Sequence, residues 1–220
     1  MLGEGESFML FVRHESFQEF LRAYPVTSAI VFMNAIMMLM TVLLGWFSGG
    51  EWIYRWGGLN KQWVMEGEVY RLVTYAFLHG GFMHFVSNMV FMVIAGPSIE
   101  KLLGRLRFTG LFFFSILMAA LAIIIIPSAP YSVDIGASGF GYSLFGFYFY
   151  LILFKRNFIE KDSSKMIMAF IAIGWLTTLL VPNISIAAHL GGFAAGWIYA
   201  FFMNKSLNRL RLVNPKSFYR

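Results

Sequence analysis

Six apolar runs of 17 to 22 residues, at about 26–47, 81–99, 106–126, 136–154, 166–182 and 185–204, take up more than half of the 220-residue chain. A hydrocarbon layer ~30 Å thick needs ~20 residues of helix to cross it, so each run is long enough to span. Composition agrees: 59% of residues are hydrophobic and 13% charged, with 25 Phe and 14 Met, far more apolar than a water-soluble domain. The fold class expected is an all-α membrane protein, a six-helix transmembrane bundle with an interfacial outer loop. The bundle occupies residues 25–204, between a short arm (1–24) and a basic tail (205–220), with no linker or repeat. The arm carries four glutamates and no compact apolar core, unlike a secretory leader.

Basic residues orient the bundle. With both termini in the cytoplasm, 14 of the 17 Lys and Arg fall on the inner side, and only Arg55, Lys61 and Arg71 lie outside. That asymmetry is the positive-inside pattern of a multi-pass protein in a plasma membrane. The net charge of +6 then reads as topology and attraction to anionic membrane lipids, not as nucleic-acid binding. The chain has no cysteine, which removes disulfides, thiolate metal sites and cysteine nucleophiles. Residues 7–23 fit either a short amphipathic helix on the inner surface or a solvated arm. Residues 48–80 form the one long external loop. Its Trp52, Tyr54, Trp56, Trp63 and Tyr70 suit the headgroup layer, so a hairpin lying in the interface is expected.

A polar cluster interrupts this apolar design. His84, Ser138 and His189 lie 17, 17 and 16 residues before the first lysine after their own spans, Lys101, Lys155 and Lys205. At ~1.5 Å per residue they share a depth ~24–26 Å from the inner boundary. Polar side chains held at one depth in a membrane are costly and mark a functional site. Ser138 opens its span within Gly136-Ala137-Ser138-Gly139, and Gly136, Gly139, Ser143 and Gly146 form a small-residue stripe beside it. Gly192 and Gly196 follow His189 at i+3 and i+7, on the same helix face. Two stripes without bulk let helix backbones approach closely, which brings the hydroxyl toward the imidazole. A serine–histidine pair is a common way to activate an alcohol nucleophile. Packing alone would explain the glycines but not a desolvated histidine.

No acidic residue shares that depth: Asp134 and Asp162, the only aspartates, lie in loops. The arrangement is therefore a dyad rather than a triad, and Tyr142, one turn after Ser138, is placed to stack on His189. His84 and Asn88, at i and i+4 on one face, offer side-chain donors for an oxyanion beside the Ser138 backbone N–H. No metal site or cofactor is expected, because the HExxH pattern is absent and no carboxylate sits nearby.

Together these residues resemble the rhomboid family of intramembrane serine proteases, over about residues 50–204. The GxSG motif is Gly136–Gly139 with Tyr142 four residues after the serine, and the AHxxGxxxG motif is Ala188, His189, Gly192 and Gly196. His79, His84 and Asn88 match the pattern of the second span. Glu68-Val69-Tyr70-Arg71 is similar to the family's tryptophan–arginine motif with tyrosine in place of tryptophan, and Gly96-Pro97-Ser98-Ile99-Glu100 followed by Gly104 fits the span's inner end. Six spans without a large added domain look like the basic bacterial form. The resemblance implies Ser138 as nucleophile, His189 as general base, and His84, Asn88 and the Ser138 N–H as oxyanion donors. It makes Tyr142 a positioner of His189, and His79, Glu68 and Arg71 structural supports of the loop. It also implies the substrates: single-span membrane proteins, cut in or near the outer end of their span beside a small residue.

Hydrolysis needs water, so the cluster must line a cavity open to the outer face. The fifth run, ending at Val181-Pro182, is the expected lateral gate. Two rival readings fit the same apolar pattern: a catalytically inactive adaptor that binds transmembrane helices, and a small transporter or proton relay using the buried histidines.

Overall fold

A computed structural model of the chain describes residues 15–48, 52–126 and 132–207. The N-terminal part of the expected amphipathic segment, the middle of the 127–135 connection and most of the basic tail lie outside them. Among the described residues the architecture is all helical, with a single two-residue β-bridge.

The short α1 (Phe17–Ala23) is fixed by a capping box, in which Ser16 Oγ accepts from Glu19 N and the Glu19 carboxylate accepts from Ser16 N. Six longer helices follow the apolar runs: α2 (Pro25–Ser48), α6 (Phe82–Leu103), α7 (Arg105–Ile125), α8 (Ser138–Phe154), α9 (Lys161–Leu180) and α10 (Ile186–Phe202). Four of them are long and apolar enough to cross a membrane unaided. The other two, α8 and α10, have 17 residues each, shorter than the runs they come from. At ~1.5 Å per residue each is ~25 Å long; α8 begins at Ser138 itself and α10 three residues before His189. The backbone just ahead of Ser138 is loop.

α8 is the central helix. It is apolar all round, the pattern of a helix surrounded by others, and 12 of its 17 residues are buried. α6 and α7 meet at Gly104, whose φ of +77° lets the chain reverse within one residue. At that end Glu100, buried, caps α2: its carboxylate accepts from Val26 N (2.9 Å), Thr27 N (2.8 Å) and Thr27 Oγ1 (2.7 Å). Hydrogen bonds tie neighbouring spans, including Tyr148 Oη to Ala95 O (2.8 Å) and Ser115 Oγ to Ser143 Oγ (2.5 Å).

The long loop is helical rather than a hairpin. It folds into α3 (Trp52–Gly57), α4 (Lys61–Met65), α5 (Arg71–Thr74) and a 3₁₀ turn at Tyr75–Phe77. Arg71, buried, holds it from within: Nε donates to Glu68 Oε2 (2.7 Å), Nη1 to Gly58 O (2.7 Å) and Nη2 to Arg55 O. Its guanidinium lies over the Trp63 ring at 4.4 Å. A planar five-donor fork can meet carbonyls of two segments and a carboxylate at once, which a point-charge lysine cannot. The indole that packs on the arginine thus comes from α4, not from the position before Arg71. The loop is latched onto the connection before α8. Leu59 and Asp134 exchange backbone hydrogen bonds (2.9 and 2.8 Å), Asn60 Nδ2 donates to Ser132 O (2.9 Å), and Gly136 N donates to Tyr75 O (2.9 Å).

Candidate active site

Helices α8 and α10 touch backbone to backbone. A Cβ at Gly192 would run into the Gly139 carbonyl, one at Gly196 into the Ser143 carbonyl, and one at Gly146 into the Phe193 carbonyl. The two small-residue stripes therefore form a single seam, and Ser138 and His189 stand at its end. Ser138 Oγ lies 2.9 Å from His189 Nε2. Ser138 is half-buried and His189 buried. The Tyr142 ring stacks on the imidazole with centroids 3.8 Å apart and planes 11° from parallel.

Ser138 is the first residue of α8, so the N–H groups of its opening turn have no partner inside the helix and favour negative charge. Gly136, two residues earlier, has φ +128°, and a Cβ there would sit 2.9 Å from His84 Cε1 and Nε2 and 3.7 Å from Ser138 Oγ. His84 thus packs against the serine's own turn. Asn88 is half-buried; one of its amide donors is spent on the His84 carbonyl at 2.8 Å, a bond back along its own helix, and one remains. His79 is buried outside the spans, edge-on to His84 (5.0 Å) and Phe85 (5.5 Å), and its carbonyl accepts from Tyr54 Oη (3.0 Å). Burial, helped by the neighbouring His84, lowers the His79 pKa to about 4, so its ring is neutral. Burial also raises the Asp134 carboxyl pKa, against an opposing hydrogen bond from Ser185 at the start of α10.

Sequence reasoning missed one side chain. Thr178, buried on α9, places Oγ1 2.8 Å from His189 Nδ1. The same Oγ1 donates to Gly174 O (2.9 Å) and touches Tyr142 Oη, which itself donates to Gly174 O (2.5 Å). A threonine in an apolar helix usually bonds back to the carbonyl four residues earlier, so its type carries no signal. Its position does. The turn between α9 and α10 is short, so residue 178, ~3 Å before one helix ends, and residue 189, ~4.5 Å after the next begins, must lie at similar depth.

Among the described residues no three His, Asp or Glu side chains converge as a metal-binding group. A hydroxyl in contact with an imidazole, beside the N–H groups of a helix start, is equipped for acyl transfer.

Residues 66–206 match the Rhomboid domain family. The chain is 33% identical over 192 residues to the Bacillus subtilis (strain 168) protein YdcA, a rhomboid by name, covering 87% of this chain and 95% of that one. It is 26% identical over 187 residues to the rhomboid protease GluP of the same organism, covering 79% of this chain but 36% of GluP. To the rhomboid protease GlpG of Yersinia pestis (strain Pestoides F) it is 25% identical over 194 residues, 86% of this chain and 66% of GlpG. The chain, an integral membrane protein with this helical bundle, belongs to the rhomboid family of proteases.

Proposed function

We propose that the protein cleaves single-span membrane proteins in or near the outer end of their span, using Ser138 as nucleophile and His189 as general base. The observation that carries the proposal is the 2.9 Å contact between Ser138 Oγ and His189 Nε2 at the end of a glycine-lined seam. Ser138 Oγ attacks the scissile carbonyl while its proton passes to His189 Nε2, which then gives it to the leaving amine; water hydrolyses the acyl-enzyme by the same relay. The Ser138 N–H, His84 and the remaining Asn88 donor hold the oxyanion, and Tyr142 holds the imidazole plane. The domain is 25–204, both termini lie in the cytoplasm, and the membrane is the bacterial plasma membrane, with lipid headgroups around the basic ends.

Substrate enters past α9. This helix buries only Ser163, Ile167, Ile171 and Thr178, and Ile173, Leu176, Leu179 and Leu180 face outward. A narrow apolar cleft lined by Phe91, Ile94, Phe145, Tyr148, Ile167 and Phe170 lies between α6, α8 and the half of α9 away from Thr178. A membrane-embedded substrate has to pass between spans to reach polar groups inside the bilayer without leaving it.

The test is cleavage of a single-span substrate by the full chain in liposomes. Ser138→Ala and His189→Ala should each lose turnover by ~10⁴-fold or more and to the same extent, since the two act as a unit. An active His189→Ala would remove the dyad. Substrate binding without cleavage by the wild type would leave an adaptor, and ion flux surviving Ser138→Ala would leave a transporter.

A further inference from the structure

The dyad has one more partner, and it comes from a helix that shares no seam with it. A serine–histidine pair works only when the imidazole nitrogen facing the serine is bare, and the hydrogen bond made by the other nitrogen sets which one that is. In this site the other nitrogen is His189 Nδ1, and its neighbour is the Thr178 hydroxyl at 2.8 Å.

The Thr178 hydroxyl has one proton. Gly174 O, one turn earlier on α9, lies 2.9 Å away and can only accept, so the proton has its acceptor there. Tyr142 Oη lies against both Gly174 O and Thr178 Oγ1, and its one proton is shared between those two acceptors. With its proton on Gly174 O, Thr178 Oγ1 faces the imidazole as an acceptor, and a hydroxyl oxygen has two lone pairs, one for Tyr142 and one for His189. His189 must then carry its hydrogen on Nδ1 and leave Nε2 bare toward Ser138 Oγ, 2.9 Å away. The opposite arrangement, with Thr178 donating to Nδ1, would leave Gly174 O to Tyr142 alone and put a hydrogen between Nε2 and the serine oxygen.

We propose that Thr178 is a positioning residue for the dyad: with its proton committed to Gly174 O, its hydroxyl accepts from His189 Nδ1–H and holds the imidazole in the tautomer able to take the Ser138 proton. This rests on the dyad reading above and goes beyond it. Tyr142 sets the plane of the ring, and Thr178 sets its protonation and its rotation within that plane. Both Thr178 and Gly174 belong to α9, so the tautomer is fixed while α9 is docked on α8, and moving α9 away releases it.

Solid-state ¹⁵N spectra of the histidine-labelled full chain in lipid bilayers read the tautomer directly, with the His189 signals identified by their loss in His189→Gln. The wild type should show His189 protonated at Nδ1; a resting Nε2–H form would overturn the proposal with no variant needed. Steady-state cleavage of a single-span substrate in liposomes gives the second readout. Thr178→Val keeps the shape and removes the hydroxyl, and should lower kcat by about tenfold or more with KM within about twofold. Thr178→Ser, which restores the hydroxyl, should recover most of that loss. A Thr178→Val enzyme with wild-type kcat, or a Thr178→Ser enzyme as slow as Thr178→Val, would overturn it. Ser138→Ala separates the two levels: if it is inactive while Thr178→Val is unimpaired, only the role of Thr178 fails, and if it still turns over, the dyad fails and takes this role with it.

Discussion

The two contacts that α8 makes with α10 and with α9 are built by opposite means. Against α10 it presents Gly139, Ser143 and Gly146, and the partner answers with Gly192 and Gly196, so backbone meets backbone with no side chain between. Against α9 it presents Tyr142 and Phe145, which reach across to Gly174, and the outer face of α9 is Ile173, Leu176, Leu179 and Leu180, all exposed. Without water between helices, close van der Waals packing is what holds spans together, so the first contact is the rigid one. Ser138 and His189 ride on that rigid pair. The Thr178 hydroxyl that faces the far nitrogen of His189 rides on the loose one.

A side chain forced into the seam breaks the contrast most severely. Gly192→Val would drive a Cβ into the Gly139 carbonyl; overpacking costs ~1–3 kcal/mol, and a ~1 Å separation of the reacting groups costs ~10²-fold in rate. We expect both a lower melting temperature in micelles and turnover down by ~10²-fold or more, and normal activity would show that the seam does not align the dyad. The buried His79 ahead of α6 adds a pH term. His79 is neutral when folded because burial lowers its pKa from 6.5 to about 4, whereas the unfolded chain protonates near 6.5. The unfolded state binds the extra proton between those values, so stability is whole above pH 6.5 and drains away as pH falls toward 4, by up to about 3 kcal/mol. Thermal melts from pH 7 to 4 should show that slope, and His79→Gln should flatten it; an equal slope in the variant would assign the effect elsewhere.

On the α9 side the effects shrink. Tyr142→Phe keeps the ring on His189 but removes the hydroxyl that bonds Gly174 O and Thr178, for ~1 kcal/mol of stability. Its turnover should fall severalfold, far less than in Tyr142→Ala, where the stack is lost as well. Equal losses in the two would deny the ring any role of its own. Leu176→Ala, on the exposed face of α9, should change stability by no more than ~0.5 kcal/mol and leave turnover intact. A large destabilisation there would mean that α9 packs more tightly than its exposed face indicates.

The seam was legible in the sequence because glycines at helical spacing have a packing meaning and a histidine at the same depth does not. Ser138, His189 and Tyr142 could be named for that reason, from one turn of α8 and one face of α10. The start of α8 was not legible: Gly136 and Ala137 read as more helix, although they form the turn from which Ser138 opens the helix. The loop misled in another way, since its aromatic residues record where it lies and not how it folds, and Arg71 organises it through backbone carbonyls that leave no mark on residue type. Thr178 was hidden by its chemistry, because a threonine that bonds its own helix and one that also meets a histidine look alike until the turn after α9 is folded.

Peptide mapping of the covalent adduct formed by a serine-directed fluorophosphonate, on the full chain in bilayers, tests the pairing of Ser138 with His189 most directly. The account predicts an adduct on Ser138 in the wild type and none in either Ser138→Ala or His189→Ala. An adduct that forms as fast without the His189 imidazole, or that maps to a different serine, would contradict it.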